Sequence, residues 1–370
     1  MRVLLAGGGT GGHIYPALAV AEGLKAVYPE LELLYVGTKK GLENTIVPQS
    51  GVPFATITVE GLPRKVSPAL LKAGVKAMEG GLEALQVVRH FRPDLVIGTG
   101  GYVCGPVIMA AKMCRVPAVI HEQNAFPGVT NKLLARIADL VLVNFEDAKK
   151  YFVHPEKVLK TGLPIRPEVL ATSKAEGLAF LGLSEQKQTL LVSGGSRGAK
   201  SLNQAMVEAY PKLLAHEELQ IIHLTGTLDH EETLAALRQQ GIAPEAYPQL
   251  VIRPYLHEME YALAAADLCV GRAGATYLAE ITACGLPAVL VPYPFASENH
   301  QQYNAQSLVD CGAAAMILDK ELSGETLYRA LQPLVEDAGY RAAMAEKAAQ
   351  AGNRDALNKI IALLKPYLNK

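Results

Sequence analysis

Short apolar runs alternate along the chain with glycine-rich or polar turns and with stretches of helical periodicity. Residues 17–27 and 82–90 have the apolar spacing of helices. In the same half, the apolar runs predict strands at Val3–Ala6, Leu31–Val36, Leu95–Gly98, Pro117–His121 and Leu140–Val143. Short apolar strands that alternate with helices are typical of a parallel sheet covered by helices on both faces. The first half is therefore predicted to be an α/β domain.

The same order of elements starts again after Thr161–Pro167, a segment rich in turn residues that we interpret as an interdomain linker. A strand, a glycine turn and a helix from Ala199 then repeat the beginning of the chain, and an amphipathic helix is predicted at Arg354–Tyr367. The strands predicted here are Thr189–Ser193, Gln220–Leu224, Leu250–Arg253, Leu268–Val270, Ala288–Val291 and Ala314–Ile317. The sequence thus predicts a duplicated architecture of two Rossmann-like α/β domains.

Length and composition agree with two globular domains. The chain has 370 residues, of which 50% are hydrophobic and 19% charged. We assign residues 1–162 and 163–348 to the two domains and residues 349–370 to the closing helix. No secretory leader is visible, and the uncharged stretches 95–111 and 281–297 are too broken by Gly and Pro to predict spanning helices.

Charge and cysteine usage narrow the class of partner and the compartment. Residues 1–160 carry 18 Lys and Arg against 13 Asp and Glu, whereas residues 161–370 carry 17 against 23. A basic first half suits an anionic partner such as a diphosphate or a phospholipid surface, with chance as the alternative. The five cysteines form no CxxC pair, which favours a reduced, cytosolic compartment.

The first glycine turn, GGGTGGH, contains the dinucleotide fingerprint GxGxxG in Gly7, Gly9 and Gly12. That fingerprint requires an acidic residue at the end of the second strand, but the strand runs into the sequence GTKK at 37–40, which disfavours NAD binding. The glycines still allow a ligand close to the backbone, and the next helix would present free N–H groups. We predict a functional role for His13 at the mouth of this turn, with a simple helix cap as the alternative.

Two further clusters follow strands of the first domain. The four glycines between Gly98 and Gly105 exceed the need of one tight turn, and they predict an anion-binding loop or close packing of a strand on a helix. The polar residues His121–Asn124 end an apolar strand, where unpaired polar groups are costly. They predict either a ligand-facing segment or a polar turn that satisfies its own hydrogen bonds.

The second domain carries corresponding clusters. Ser196 and Arg197 lie in the turn GGSRG, where they could clamp a phosphate or simply precede a helix. The segment Gly271–Glu280 places small residues at a helix N-terminus, which suits a diphosphate. Its closing carboxylate could accept ribose hydroxyls or merely favour the helix dipole. The polar run Glu298–Asn304 is well placed for sugar hydroxyls.

Seven motifs in a fixed order make the chain recognisable. They are GGGTGGHIYPALA, GTGGYVCGP, HEQNAFPGVTNK, GLPIR, GGSRGAKSLNQ, RAGATYLAE and ENHQQYNA, and they span nearly the whole chain. The sequence closely resembles the glycosyltransferase family 28 enzymes of bacterial peptidoglycan synthesis, which add N-acetylglucosamine to a lipid-linked muramoyl-pentapeptide. Two positions depart from the family pattern: Arg197 stands where Gln is usual, and Gly271 stands where Ser is common.

The resemblance implies a GT-B fold, in which two Rossmann-like domains face a cleft. It implies inverting transfer of N-acetylglucosamine from UDP-GlcNAc to the muramoyl 4-hydroxyl of undecaprenyl-diphospho-MurNAc-pentapeptide, which converts lipid I to lipid II. The first domain would hold the acceptor, the second would hold the UDP-sugar, and the last helix would cross back to the first. The resemblance also implies a peripheral protein on the anionic cytoplasmic face of the cell membrane, with no nucleic-acid partner.

The family pattern assigns roles to individual positions. Thr10, Gly11 and Gly12 would face the donor sugar and the acceptor diphosphate. Asn124 would bind the N-acetylglucosamine, and Leu256 would back the uracil. The remaining positions are Arg166 and Ser196 for the donor diphosphate or nucleotide, Ala275, Thr276, Tyr277, Leu278, Ala279 and Glu280 for phosphate and ribose, Gln301 and Gln302 for the sugar, and Tyr102 for substrate.

An inverting transfer needs a base for the acceptor hydroxyl and stabilisation of the departing UDP. We expect His13 to be the base, with Glu122 or a water molecule as the alternative. The helix N–H groups after Arg272–Thr276, assisted by Ser196 and Arg166, would stabilise the leaving diphosphate. No Asp-x-Asp sequence occurs, so we expect no metal site in the protein and no cofactor.

A basic, partly apolar stretch predicts a membrane-surface helix, with an ordinary amphipathic helix as the alternative. Its members are Arg64, Lys65, Leu70, Leu71, Lys72, Val75, Lys76 and Met78.

Three other functions stay open at this point. They are another GT-B enzyme such as a diacylglycerol glucosyltransferase or a UDP-GlcNAc 2-epimerase, an NAD-dependent dehydrogenase, and a sugar-nucleotide binding module without activity. A requirement for an acceptor separates a transferase from an epimerase, and turnover separates it from a binding module.

Overall fold

The computed structural model describes residues 1–59, 68–195 and 198–368, and for residues 68–77 it describes the backbone alone. The chain forms two compact units, one of Met1–Ile165 with Asp355–Lys370 and the other of Arg166–Arg354. Some residues singled out above lie outside the described part: Arg64, Lys65, Ser196 and Arg197, and the side chains of Leu70, Leu71, Lys72, Val75 and Lys76.

None of the described helices is both long enough and apolar enough to cross a membrane.

The first unit is built on a seven-stranded sheet in which every neighbouring pair of strands is parallel. The strands are β1 (Arg2–Gly7), β2 (Glu32–Gly37), β3 (Phe54–Thr56), β4 (Leu95–Gly100), β5 (Ala118–Glu122), β6 (Leu140–Val143) and β7 (Val158–Lys160). Their order across the sheet is β3-β2-β1-β4-β5-β6-β7. The helices of this unit are α1 (Gly11–Val27), α2 (Glu43–Gln49), α3 (Pro68–Phe91), α4 (Cys104–Met113), α5 (Val129–Leu134) and the C-terminal α15 (Ala356–Leu368).

Both faces of this sheet are covered, because successive residues of a strand point to opposite sides. Leu4 and Ala6 of β1 pack in a core with α3, α4 and α5, whereas Val3 and Leu5 pack in a second core with α1 and α15. The C-terminal helix α15 belongs to the second core. Gly23 of α1 makes room for it, since an added Cβ there would lie 2.8 Å from Ile361 Cδ1.

The second unit repeats this plan with six parallel strands in the order β10-β9-β8-β11-β12-β13. They are β8 (Gln188–Ser193), β9 (Leu219–Leu224), β10 (Leu250–Arg253), β11 (Leu268–Gly271), β12 (Ala288–Leu290) and β13 (Ala314–Met316). The helices are α6 (Pro167–Ala171), α7 (Lys174–Leu181), α8 (Lys200–Leu213), α9 (His230–Gln239), α10 (Met259–Ala265), α11 (Ala275–Ala283), α12 (His300–Asp310), α13 (Gly324–Glu336) and α14 (Ala338–Ala351). Local sequence sets some of these ends: Ser173 and Glu176 form a capping box at α7, and Gly182 ends that helix in the left-handed conformation.

The strand order of each sheet reverses once, and the glycine turns lie at these reversals. In the first unit the chain moves from β1 to β2 and β3, then crosses to β4 on the other side of β1. In the second unit it moves from β8 to β9 and β10, then crosses to β11. The carboxyl ends of the two strands flanking such a reversal are where open α/β sheets bind ligands. The turns after β1, β4, β8 and β11 therefore occupy the binding positions of the two sheets.

The predicted fold class, α/β with two parallel sheets, is confirmed. All eleven predicted strands are present, and the structure adds β3 and β7, which have three residues each. Both lie at sheet edges: all three residues of β3 are only partly buried, and two of the three in β7 are exposed. Two helices are longer than predicted: α1 begins at Gly11 within the glycine turn, and α3 begins at Pro68.

Candidate functional site

The first glycine turn joins β1 to α1 and is fixed by hydrogen bonds to neighbouring segments. The hydroxyl of Tyr35 donates to the carbonyl oxygen of Gly7 at 3.1 Å, and the amide of Gly8 donates to the carbonyl oxygen of Gly100 at 3.3 Å. Gly9 has a φ of 87°, a left-handed conformation that favours glycine. These contacts hold the backbone of the turn in one conformation beside β4.

His13 lies in the first turn of α1, and two neighbouring segments hold it. Its Nδ1 donates to the carbonyl oxygen of Gly8 at 2.9 Å, and the hydroxyl of Thr99 donates to the carbonyl oxygen of His13 at 2.6 Å. A carbonyl oxygen can only accept, so Nδ1 carries the proton and Nε2 is the unprotonated nitrogen of the neutral ring. Among the described residues no hydrogen bond engages Nε2, and the partly exposed ring can therefore accept a proton there.

Thr10, Gly11 and Gly12 form the accessible start of α1 next to this histidine. Thr10 is exposed and its hydroxyl lies 3.5 Å from Nδ1 of His13, while the two glycines are partly exposed. The first N–H groups of a helix have no partner within the helix and attract anions. The structure thus brings these three predicted binding residues to the predicted base.

The second glycine turn, between β4 and α4, packs directly onto the first. Gly100 and Gly101 have φ values of 115° and 84°. An added Cβ on Gly101 would lie 2.4 Å from the carbonyl oxygen of Gly8, and one on Gly100 would lie 2.8 Å from Cδ2 of His13. Close packing therefore accounts for these two glycines, and anion binding by the loop stays a prediction. Tyr102 follows them and is 60% exposed.

The side chain of Cys104 contacts the ends of β1 and β4, from which the two turns begin. Its buried thiol donates toward the carbonyl oxygens of Ala6 at 3.0 Å and Gly100 at 3.1 Å. Burial raises the pKa of this thiol to about 12, so it stays protonated at neutral pH. Cys104 is thus a buried core residue of the first unit.

The polar segment at the end of β5 is nearly all buried. The carboxylate of Glu122 accepts from the amide and side chain of Asn124 at 3.0 and 3.1 Å, from the amide of Gly128 at 3.1 Å and from Asn131 at 2.8 Å. Both of its oxygens are occupied, and the residue is 2% exposed. This geometry favours His13 over Glu122 as the base and makes Glu122 the anchor that orients Asn124.

The two neighbours of Glu122 are held in the same network. His121 Nε2 lies 2.9 Å from the carbonyl oxygen of Gly162, and burial lowers the pKa of this ring to about 4. Gln123 donates to the carbonyl oxygen of Thr99 at 2.6 Å. The segment is thus a polar turn that satisfies most of its own hydrogen bonds, with Asn124 as its partly exposed member.

Glu43 is a site residue that the sequence analysis missed. It begins α2, is 1% exposed, and accepts from the amide of Gly9 at 3.0 Å and from the amide and hydroxyl of Thr38 at 3.1 and 2.8 Å. The sequence has no carboxylate at 37–40, but the fold places the carboxylate of Glu43 beside the end of β2. It faces the glycine turn and is buried, so a ribose cannot reach it. The sequence itself offers only an acidic residue two positions after Gly41, which does not indicate the contact with the glycine turn.

In the second unit, the loop between β11 and α11 is held by α12. The side-chain oxygen of Gln301 accepts from the amides of Ala273 at 3.1 Å and Tyr293 at 2.9 Å. Gln302 accepts from Asn299 at 2.5 Å and is partly exposed. Gln301 therefore shapes the loop through its oxygen, and Gln302 lies beside it at the surface.

The residues of α11 differ in how they could meet a ligand. Ala275 and Leu278 are buried, while Thr276 and Ala279 are partly exposed. The ring of Tyr277 fills the space beside Gly271, where an added Cβ would lie 2.6 Å from Cε1, and burial raises the pKa of its hydroxyl well above the usual range. Tyr277 and Leu278 can therefore reach a ligand only through their backbone, and binding of phosphate and ribose by this segment stays a prediction.

Arg166 and Glu280 are brought together although 114 residues separate them. The guanidinium of Arg166 donates to one oxygen of Glu280 at 3.2 and 3.3 Å and to Glu260 at 3.4 Å. Burial raises the pKa of Glu280, and the charge of Arg166 partly offsets that effect. Arg166, predicted to contact the diphosphate, and Glu280, predicted to contact the ribose, thus bind each other in this structure.

Arg272 does not project toward a ligand. Its guanidinium donates to Asp319 at 2.6 Å, to the hydroxyl of Ser201 at 3.0 Å and to the carbonyl oxygen of Val291 at 3.1 Å. It therefore joins segments that follow several strands of this sheet, and anion binding by the backbone N–H groups of α11 stays a prediction. Leu256, predicted to back the uracil, is buried just after β10.

The described side chains include no group of three or more His, Cys, Asp or Glu residues arranged to hold a metal ion.

Comparison with known sequences identifies matching domains on both units. Residues 3–143 match the glycosyltransferase family 28 N-terminal domain, and residues 189–360 match the glycosyltransferase family 28 C-terminal domain. The chain is 48% identical to the UDP-N-acetylglucosamine--N-acetylmuramyl-(pentapeptide) pyrophosphoryl-undecaprenol N-acetylglucosamine transferase of Desulforamulus reducens, covering 100% of this chain and 99% of the relative. It is 48% identical to the protein of the same name from Moorella thermoacetica, over 98% of both chains.

Solved structures show the same architecture. The crystal structure of Acinetobacter baumannii MurG matches with a TM-score of 0.79 and 31% identity, covering 99% of both chains. A Staphylococcus aureus MnaA-UDP co-structure matches with a TM-score of 0.69 at 15% identity, covering 100% of this chain and 97% of that one, which shows the fold alone.

Proposed function

The chain belongs to glycosyltransferase family 28, and on that premise we propose that it transfers N-acetylglucosamine from UDP-N-acetylglucosamine to the 4-hydroxyl of an undecaprenyl-diphospho-N-acetylmuramoyl-pentapeptide. The observation that carries the proposal is 48% identity, along the whole chain, to relatives whose names state this donor sugar and this lipid acceptor. The geometry of the two units supports a division of roles between them.

The first unit supplies the base and binds the acceptor. His13 Nε2 takes the proton of the muramoyl 4-hydroxyl while that oxygen attacks the anomeric carbon of the sugar. The bond from the anomeric carbon to the UDP oxygen breaks, UDP leaves with the electron pair, and the configuration inverts. The support is the tautomer set by Gly8, which leaves Nε2 unprotonated, and the accessible N–H groups at Gly11 and Gly12 for the acceptor diphosphate.

The second unit binds the donor. The N–H groups at the start of α11 stabilise the charge that UDP gains on departure. One oxygen of Glu280 is held by Arg166, and the other can accept ribose hydroxyls. Glu260 keeps Arg166 near this site, from which its guanidinium can turn toward the donor diphosphate. We assign Ser196 to the same diphosphate from the family pattern.

A membrane surface is proposed on helices α3, α4 and α5, which lie side by side. Each exposes large apolar side chains four residues apart, a spacing that places them on one helix face. These residues, between 52% and 73% exposed, are Met78 and Leu82, Met109 and Met113, and Val129 and Leu133. The same segments carry exposed cations at Arg89, Arg92, Arg115 and Arg136. An apolar strip bordered by cations fits the surface of an anionic bilayer, in which the lipid acceptor resides.

The transferase is tested with purified protein, UDP-N-acetylglucosamine and a short-chain lipid acceptor, with and without EDTA. We expect UDP release that depends on the acceptor and a β-linked disaccharide product, with activity retained in EDTA. UDP-N-acetylglucosamine binding without product in the presence of the acceptor would contradict the proposal. Epimerisation without acceptor would instead identify a 2-epimerase.

The membrane surface is tested by flotation with vesicles that contain anionic lipid. Met113→Glu combined with Leu133→Glu should abolish flotation and leave activity on a soluble acceptor intact. Leu228→Glu changes a leucine of the second unit that is as exposed as Met113, and it serves as the control. Equal flotation of both variants would rule out this surface.

A further inference from the structure

A single peptide unit connects a buried carboxylate to the ring of His13. The peptide between Gly8 and Gly9 carries both the Gly8 carbonyl oxygen, which accepts from Nδ1 of His13 at 2.9 Å, and the Gly9 amide, which donates to Glu43 at 3.0 Å. The carboxylate, the peptide and the imidazole therefore form one continuous hydrogen-bonded chain. Hydrogen bonds in such chains polarise one another and strengthen together.

The hydrogen-bond partners of Glu43 suit a carboxylate group. All three groups that contact its carboxylate are donors: the amide of Gly9 and the amide and hydroxyl of Thr38. An ionised carboxylate only accepts, so this environment matches the charged form. Among the described residues no Lys, Arg or His lies within ion-pair distance of it.

The surrounding glycines show that the space is shaped for this side chain. An added Cβ would lie 2.6 Å from a Glu43 carboxylate oxygen at Gly8, 2.1 Å from one at Gly41, and 2.5 Å from Glu43 Cγ at Gly37. Gly101 closes the other side of the peptide, since a Cβ there would lie 2.4 Å from the Gly8 oxygen. The peptide plane is thus fixed between a carboxylate and a second glycine turn.

We propose that Glu43 is a positioning residue for catalysis that acts on His13 through the Gly8–Gly9 peptide; this inference rests on the proposed function of His13 as the base. The negative charge polarises the peptide, so that the Gly8 oxygen holds the Nδ1 proton more strongly and keeps Nε2 free. When Nε2 takes the acceptor proton, the ring becomes cationic, and Glu43 stabilises that charge. No proton passes along the peptide. Glu43 has the role of the acidic residue of a catalytic triad, but it acts through a peptide and does not contact the histidine.

Other titratable or charged groups lie on the elements around the turn, and Glu43 is the one that this peptide joins to His13. These groups are Tyr15, Tyr35, Lys39, Lys40, Cys104 and Glu122. Burial raises the pKa of Tyr35 and of Cys104, so both stay neutral at working pH. Lys39 and Lys40 are exposed to solvent, and Glu122 is saturated by its own hydrogen bonds.

The size of the effect follows from the distances. The two hydrogen bonds of 3.0 and 2.9 Å and roughly 2 Å across the peptide place the carboxylate at most about 8 Å from the ring. With an effective dielectric constant near 20, a charge at this distance shifts a proton equilibrium by about 1.5 pH units. Glu43→Gln, which removes the charge and keeps the shape, should move the acidic limb of the pH dependence of kcat/KM for the acceptor down by about 1.5 pH units. It should also lower kcat about tenfold, with an unchanged KM for UDP-N-acetylglucosamine.

Glu83 offers a matched control in the same unit. Its carboxylate accepts from the amide and hydroxyl of Thr58, as that of Glu43 does from Thr38, but its described bonds do not reach the His13 turn. Glu83→Gln should therefore leave the acidic limb and kcat unchanged. A shift of equal size in both variants, or a fall in kcat for Glu43→Gln without any movement of the limb, would show that Glu43 only supports the fold.

The ring tautomer provides a test in the wild-type protein. Nitrogen-15 chemical shifts of labelled histidine should show His13 with its proton on Nδ1; a proton on Nε2 would overturn the relay even if Glu43→Gln failed to fold. If wild-type protein made no acceptor-dependent disaccharide, the proposed function would fall, whereas a proton on Nε2 of His13 would reject the relay separately. If the wild type is active but Glu43→Gln leaves the acidic limb of the pH dependence unmoved, the relay is rejected and the proposed function stands.

Discussion

Gly101→Ala tests whether the contact between the two glycine turns of the first unit creates the site. Gly101 has a φ of 84°, and the new Cβ would lie 2.4 Å from the carbonyl oxygen of Gly8, the same oxygen that accepts from His13. The substitution therefore adds one methyl group at the point where both turns meet.

Two effects set the magnitude. A left-handed conformation costs about 1 kcal/mol for a residue with a Cβ. Ordinary contact begins near 3.4 Å, so the Gly8 peptide must also retreat by about 1 Å, because the atom it meets is backbone and cannot rotate away. A displacement of this size at a reacting group lowers turnover about a hundredfold. The total loss of stability should be about 2–4 kcal/mol.

Two alanine variants in the same unit separate these effects. Gly51 has a φ of 74° with nothing near an added Cβ, so Gly51→Ala should cost about 1 kcal/mol of stability and leave turnover unchanged. Gly81 lies inside α3 with open space around it, so Gly81→Ala should stabilise the protein by about 0.5–1 kcal/mol. Urea unfolding and the acceptor-dependent transferase assay measure both quantities for all three variants.

The reasoning is refuted if Gly101→Ala keeps turnover within threefold of the wild type and loses no more stability than Gly51→Ala. That result would mean that the turns can separate without moving His13, and the close contact would then have no role in the site.

Two further outcomes are expected. Burial lowers the pKa of His121 to about 4 from 6.5, so the folded state binds fewer protons; stability should be full above pH 6.5 and fall by up to about 3 kcal/mol as pH drops toward 4. Urea unfolding of His121→Gln at both pH values should show a smaller fall, and an identical fall would contradict this. Glu280→Gln should raise the KM for UDP-N-acetylglucosamine about 10–100-fold, because a charged acceptor of the ribose is lost. Glu260→Gln, which changes only the other partner of Arg166, should change it less; equal increases would remove the ribose role.

The sequence alone determined the strands, the duplicated α/β plan and the family. These features depend on neighbouring residues: a buried parallel strand must be a short apolar run, and the turn behind it must contain glycine where the backbone approaches another segment. Short edge strands lack this signal. β7 is an example, since Leu159 and Lys160 are exposed and only Val158 is buried.

The tertiary structure decided which polar side chains contact one another, and therefore which charged groups lie in the site. Glu43 returns to the first glycine turn because α2 folds back after β2, and local spacing cannot show this. Arg166 and Glu280, 114 residues apart, neutralise each other in the second unit. Tyr277, on the helix predicted to bind the donor, turns its ring into the space beside Gly271. Polar side chains act through distances of about 3 Å, and those distances arise only when separate strands end at the same edge of a sheet.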